Sequence, residues 1–204
     1  MVLRASLEKK EEKEKVRVAL MRAAVHLAAA HGFAGLGLRE VSREAGIAPT
    51  SFYRHFADME ELGVALIREL AGRTLRELGE RALAAPKGSA VEHLVESMLS
   101  AVEQDPELVR FVIAERAGAS ASFRALLRAE LSGLARTLHA ATTGETLLEA
   151  SAPPMAAEAA IVLLIDAAGT ALDEFETRRA QLQESLAWSL SALLAAPPLH
   201  KAST

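Results

Sequence analysis

The chain has no cysteine. That removes disulfides and thiolate chemistry, and it fits a reducing cytoplasm. Aromatic residues are scarce, with six Phe, one Tyr and one Trp in 204 residues. No stretch of any length alternates apolar and polar residues, so a sheet-based architecture has no support. No HExxH pair, GxSxG elbow or phosphate-binding loop occurs. The six histidines (His26, His31, His55, His93, His139 and His200) do not stand at metal-ligand spacing. No catalytic site, no metal and no cofactor is therefore expected. The amino terminus runs into "LEKKEEKEK" rather than an apolar leader. The most hydrophobic stretch, Met155 to Leu172, is interrupted by Glu158 and Asp166. Those charges read as a buried helix of a soluble protein and not as a membrane span.

What is present favours helix. Half the residues are apolar and a quarter are charged, the balance of a folded globular chain, and the dominant types are Ala, Leu, Glu and Arg. The net charge of −4 is unevenly spread. Residues 1–60 hold 10 Lys/Arg and 8 Asp/Glu (+2), and the remainder holds 13 and 19 (−6). A nucleic-acid binder needs positive charge only at its contact surface, so an acidic remainder does not exclude one.

About nine helices follow one another, punctuated by Gly and Pro. The first runs from about Glu8 to Ala30, with Val16, Leu20, Ala23, Ala24 and Leu27 as its buried stripe. Its opening "EKKEEKEK" reads either as a basic arm on DNA or as a solvated helix start. His31 to Gly37 is a turn, Leu38 to Ala45 a short helix stopped at Gly46, and Pro49 to His55 another, with Pro49 in its first turn. Asp58 caps the next helix with Glu61 as partner, and that helix runs to about Ala84. Further helices fit Ala90 to Gln104, Pro106 to Ala117, Ser122 to Ala141, Pro154 to Glu176 and Arg178 to Leu194. Thr142 to Pro154 reads as a linker and "PPLHKAST" as a frayed tail.

The segment "GIAPTSFYRHFADMEEL" concentrates aromatics in a chain otherwise poor in them. Two short helices joined at a glycine and docked on a longer one read as a helix-turn-helix. Val41, Ile47, Phe52 and Phe56 supply its core, with small Ser42 where the helices cross. Thr50, Ser51, Tyr53, Arg54 and His55 then lie on the other faces, where hydroxyls and a guanidinium can meet phosphates or base edges in a major groove.

"LREVSREAGIAPTSFYRHFADMEEL" (Leu38 to Leu62) resembles the DNA-binding segment of the TetR family of transcriptional regulators. The resemblance implies an all-α fold. Residues 1–58 would form a three-helix DNA-binding domain, and residues 59–204 a helical effector-binding and dimerisation domain. It implies a cytoplasmic homodimer on a palindromic double-stranded operator, contacting DNA through Arg39, Ser42, Thr50, Ser51, Tyr53, Arg54 and His55. The chain departs from the family pattern at Ala48, where many relatives have a capping serine, and at Pro49 and Met59, where many have a basic residue. Those changes remove potential phosphate contacts.

A narrower resemblance, in "REAGIAPTSFYRHF" and in "ERAGASASFRALLRAEL" (Glu115 to Leu131), is to the FabR- and DesT-type repressors of unsaturated fatty-acid synthesis. It implies a repressor of fatty-acid synthesis or desaturation. The effector would be a long-chain acyl-CoA or acyl-carrier-protein thioester, bound near Phe111, Arg116, Phe123 and Arg124. Arg110 and Arg128 stand near the same segment. In the hydrophobic stretch, Ile161, Leu164, Ile165, Ala168 and Leu172 form a stripe suited, with Trp188, to a four-helix interface between subunits. Two other readings stay open. One is a TetR-type repressor of an efflux or catabolic gene answering another lipophilic molecule. The other is a helical ligand-binding protein without a DNA role.

Overall fold

The computed structural model describes residues 2–144 and 155–195. Most of the expected linker and the PPLHKAST tail fall outside them. Among the described residues there are nine α-helices and no strand. Helix α1 (Val2–His31) starts earlier than the expected Glu8 and ends at Gly32, whose φ of 72° is open to glycine at no steric cost. A 3-10 turn (Phe33–Gly35) leads to α2 (Leu38–Glu44) and α3 (Pro49–Phe52). The helix expected over 58–84 is divided into α4 (Met59–Leu66), a π segment (Ile67–Ala71) and α5 (Gly72–Leu83). Next come α6 (Ala90–Gln104), α7 (Pro106–Glu115) and α8 (Ala121–Thr143). The two helices expected after residue 154 are one, α9 (Met155–Ala195), interrupted by non-helical backbone at Glu174 (φ −130°, ψ 24°). The expected count of helices stands, but the breaks fall differently.

Contacts divide the chain into two compact units. One holds Met1–Arg73 with Glu107–Arg128, and the other Thr74–Pro106 with Ala129–Thr204. The first unit gathers α4, the π segment, α7 and the start of α8 with α1–α3.

In the first unit Phe52 and Phe56 are buried with Val41, Leu20, Ala24, Leu62 and Leu66. Each of the larger of these side chains contributes roughly 1.5–3 kcal/mol when taken out of water, and Ala24 less. Phe33 meets Phe111 and Phe123 edge-on, with centroids 6.0 and 5.1 Å apart. Glu115 is buried beside them, and its Oε1 accepts the Phe33 backbone N–H at 3.4 Å. In the second unit α6 packs along α9. Leu94, Val95, Met98 and Leu99 are buried there, as are Ile161, Leu164, Ile165 and Ala168. Met155–Glu174 is long and apolar enough to cross a membrane by length and composition alone, yet one face of it belongs to this core.

Candidate nucleic-acid interface

The turn between α2 and α3 follows from local chemistry. Gly46, at φ 71°, donates to the Arg43 carbonyl (3.1 Å), and Ile47 donates to the Ser42 carbonyl (2.9 Å). These are the two bonds of a Schellman stop, which needs a left-handed residue at the glycine position. Ala48 precedes α3 with no side-chain cap, and Pro49 occupies the first turn. After Phe52 the chain tightens. Arg54 and His55 donate to carbonyls three residues back, at 3.1 and 2.8 Å. The expected end at His55 is thus a 3-10-like continuation of a helix that closes at Phe52. Asp58 accepts the Glu61 N–H at 2.8 Å, and Glu61 accepts the Ala57 N–H at 2.6 Å. This reciprocal cap fixes where α4 begins.

Arg17, on α1, ties these pieces together. It pairs with Glu69 in the π segment, through Nε to Oε2 at 3.2 Å and through Nη2 to Oε1. It also donates from Nη1 to the His55 carbonyl at 3.2 Å. Its guanidinium lies 4.5 Å from the centroid of the Phe56 ring. The sequence reading missed this residue, since one arginine among many on a long helix carries no distinguishing spacing.

The candidate contact residues do not share one environment. Thr50, Tyr53, Arg54 and Arg39 are exposed, Tyr53 by 65%, while Ser51 and His55 are half-buried. Ser42 corrects the expectation. It is 0% exposed, so it serves the close crossing of the two helices and cannot reach DNA. That leaves a short helix anchored from below by Phe52 and Phe56, presenting hydroxyl and guanidinium donors outward.

The Nδ1 of His55 is buried without a partner. Burial first, then the charges of Lys13, Arg17 and Arg54, hold its pKa below the ordinary histidine value, with Glu14 opposing. As pH falls through that ordinary value, about 6.5, the unfolded chain takes up the proton before the folded one. Folding stability from this group is therefore complete above that pH and is lost below it. His26 has the opposite sign, because its Nδ1 lies 2.8 Å from Glu107 and its pKa is raised. In His55→Gln, the fall in melting temperature between about pH 7.5 and 5.5 should be smaller than in the parent protein. Parallel thermal melts check this, since the His26 contribution cancels in the comparison.

The residues expected at an effector site sit in the first unit. Phe111 and Phe123 are buried in its aromatic cluster. Arg116 is exposed. Arg124 donates to the Gly118 and Ala119 carbonyls at 2.6 and 2.7 Å, holding the corner between α7 and α8. None of the four lines either of two open grooves in the second unit. One, of about 420 Å³, runs over Leu75, Gly133 and Leu134, with Arg76 paired to Glu130 at 3.4 Å. The other, of about 570 Å³, is lined by Arg81, Glu92, His93 and Glu96 among others. The stripe expected between subunits also needs correction. Ile161, Leu164, Ile165 and Ala168 are buried within the chain and Leu172 is half-buried. Among the described residues of α9, the large apolar side chains left exposed are Met155, Val162, Leu163 and Trp188.

Residues 20–66 match the family model for bacterial regulatory proteins of the tetR family. Solved structures share the fold. The fatty acid degradation regulator FadR of Bacillus halodurans superposes with a TM-score of 0.70 at 17% identity, over 90% of this chain and 96% of that one. FadR of Bacillus subtilis, in complex with stearoyl-CoA, gives 0.68 at 15% identity over 87% and 97%. A transcriptional regulator from Rhodococcus gives 0.69 at 22% identity over 89% and 95%. Those proteins are described as transcriptional regulators, and at 15–22% identity the likeness of this chain to them is one of fold.

Proposed function

We propose, from the match of residues 20–66 to the tetR-family model, that this chain is a homodimeric TetR-type repressor that binds a palindromic operator and answers a long-chain fatty acyl thioester. The observation that carries the DNA role is the set of exposed donors Thr50, Tyr53 and Arg54 on a short helix fixed by buried Phe52 and Phe56. Entering a major groove, that helix positions itself through phosphates and reads sequence through base edges. Arg39 extends the same contact from α2.

A second subunit supplies the second half-site. The face of α9 suited to meet it carries exposed Val162 and Leu163, with Trp188 beyond Glu174. Covering these apolar side chains favours association, and a two-fold interface repeats each contact.

The fatty-acid reading draws support from the shared fold of the Bacillus subtilis FadR that was solved with stearoyl-CoA and from the arginines near the α7–α8 corner. Arg124 is already engaged by two carbonyls. Exposed Arg116 is therefore better placed to grip the phosphates of a coenzyme A head group. Such a ligand shifts DNA affinity only by its differential affinity for two arrangements of the dimer.

The test is a gel shift on DNA upstream of this gene and its neighbours, with and without palmitoyl-CoA and oleoyl-CoA. A dimer that binds a palindrome and responds differently to the two thioesters supports the whole reading. Binding that ignores both keeps the operator role and turns the search to other lipophilic effectors, as for an efflux or catabolic operon. No binding that falls with salt sinks the DNA role and leaves a helical ligand-binding protein.

A further inference from the structure

Helix α1 is thirty residues long, and its residues 10–15 stand exposed ahead of its packed part. Among its described side chains, Val16 and Val18 are the first set against the core, and Leu20 is the first fully buried. Residues 10–15 therefore carry the helix about 9 Å ahead of the packed part, at 1.5 Å per residue. The family match begins only at Leu20, so this projection lies outside the shared segment.

A helix with no tertiary packing is weakly held in water, and its charges alone do not explain its presence. The arrangement of those charges is informative. Lys10, Lys13 and Arg17 stand at i, i+3 and i+7, which places them on one face. Glu11 and Glu12 fall well to either side. Arg17 docks on the carbonyl of His55 at the end of the recognition helix, so Lys13, one turn earlier on the same face, starts beside that helix. Its charge and that of Arg54 both bear on His55. Glu14 borders the strip, and its charge is felt at Arg17 and His55 as well. Arg17 itself is taken up by Glu69, which leaves Lys10, Lys13 and Arg54 as the outward cations of the strip.

We propose that the projecting start of α1 is a second DNA contact, in which Lys13, with Lys10 behind it, neutralises phosphates of the duplex that the recognition helix enters. Lys15 stands on the opposite face, and a polyanion is the partner that the Lys10–Lys13 edge fits where it continues from the proposed DNA-reading surface. The proposal rests on the operator-binding reading above.

The experiment measures duplex binding by fluorescence anisotropy across a salt series, using upstream DNA that the full chain binds. Lys13→Gln keeps helix propensity while removing one charge per subunit. The slope of log affinity against log salt is expected to fall by about 1.8, at 0.9 for each phosphate contact in a two-fold complex. Lys10→Gln added to it should lower the slope further. Glu11→Gln with Glu12→Gln should leave the slope unchanged. If Lys13→Gln keeps the parental slope, or if the paired glutamine variant raises the slope as much as Lys13→Gln lowers it, the arm is overturned as a specific contact. If the parent protein itself binds no duplex in a salt-dependent way, the operator reading fails first and the arm falls with it.

Discussion

Operator affinity should drop about a thousand-fold when Tyr53→Phe and Arg54→Ala are combined, with the melting temperature unchanged. Tyr53 is 65% exposed, and its ring meets Phe52 edge-on at 5.9 Å. Phenylalanine keeps that contact and removes only the hydroxyl. Arg54 is exposed and lies outside the core that Phe52 and Phe56 form. A hydrogen-bonded contact to DNA is worth roughly 1–3 kcal/mol. Two contacts at the low end, each repeated by the second subunit, sum to about 4 kcal/mol, or about a thousand-fold at 1.4 kcal/mol per decade. Anisotropy titrations measure the affinity, and thermal melts followed by circular dichroism show whether the head stays folded. A loss under about tenfold would mean that these donors do not face the duplex.

The second large effect concerns stability. Gly63→Ala should destabilise the protein by about 1–3 kcal/mol, although alanine is the better helix former by up to about 1 kcal/mol. A β-carbon at Gly63 would stand 2.1 Å from Cζ of Phe123, and 2.8 and 2.9 Å from the adjacent ring carbons. The ring has nowhere to go. Phe123 is 1% exposed and set against Phe33 at 5.1 Å, and packed interiors do not yield by such amounts without cost. Phe123→Leu alone should also destabilise, because it opens a void. In the Gly63→Ala background the same change should recover part of the loss. Urea unfolding of the four proteins gives the cycle, and a coupling energy near zero would show that α4 and α8 do not meet at this point.

Much of the head was legible because its signals are local. Phe52 and Phe56 at a four-residue spacing, Gly46 after a short apolar helix, and Asp58 with Glu61 each have one reading, and the structure carries all three. Ser42 was ambiguous by chemistry, since a small hydroxyl suits both a tight helix crossing and a phosphate contact. The faces of α9 were ambiguous by geometry. A helix apolar over most of its circumference has no unique inner side, so spacing could not decide whether Ile161 and Leu164 meet α6 or another subunit. Phe111 and Phe123 belong to a residue type that builds cores and ligand pockets alike. The π segment holds neither proline nor glycine within it, and Gly72 at its end reads equally as an ordinary helical glycine, while the break at Glu174 has neither residue to announce it.

The scarcity of aromatics makes the molecule its own instrument. The single tyrosine stands on the surface assigned to DNA, and the single tryptophan, Trp188, is 75% exposed on the last helix. Indole emission can be excited apart from phenol emission, so one optical signal belongs to α9 and the other to the recognition helix. Assembly and operator binding can each be followed by intrinsic fluorescence on the unlabelled, unmodified chain, and the order in which the two events occur becomes a matter of timing two colours.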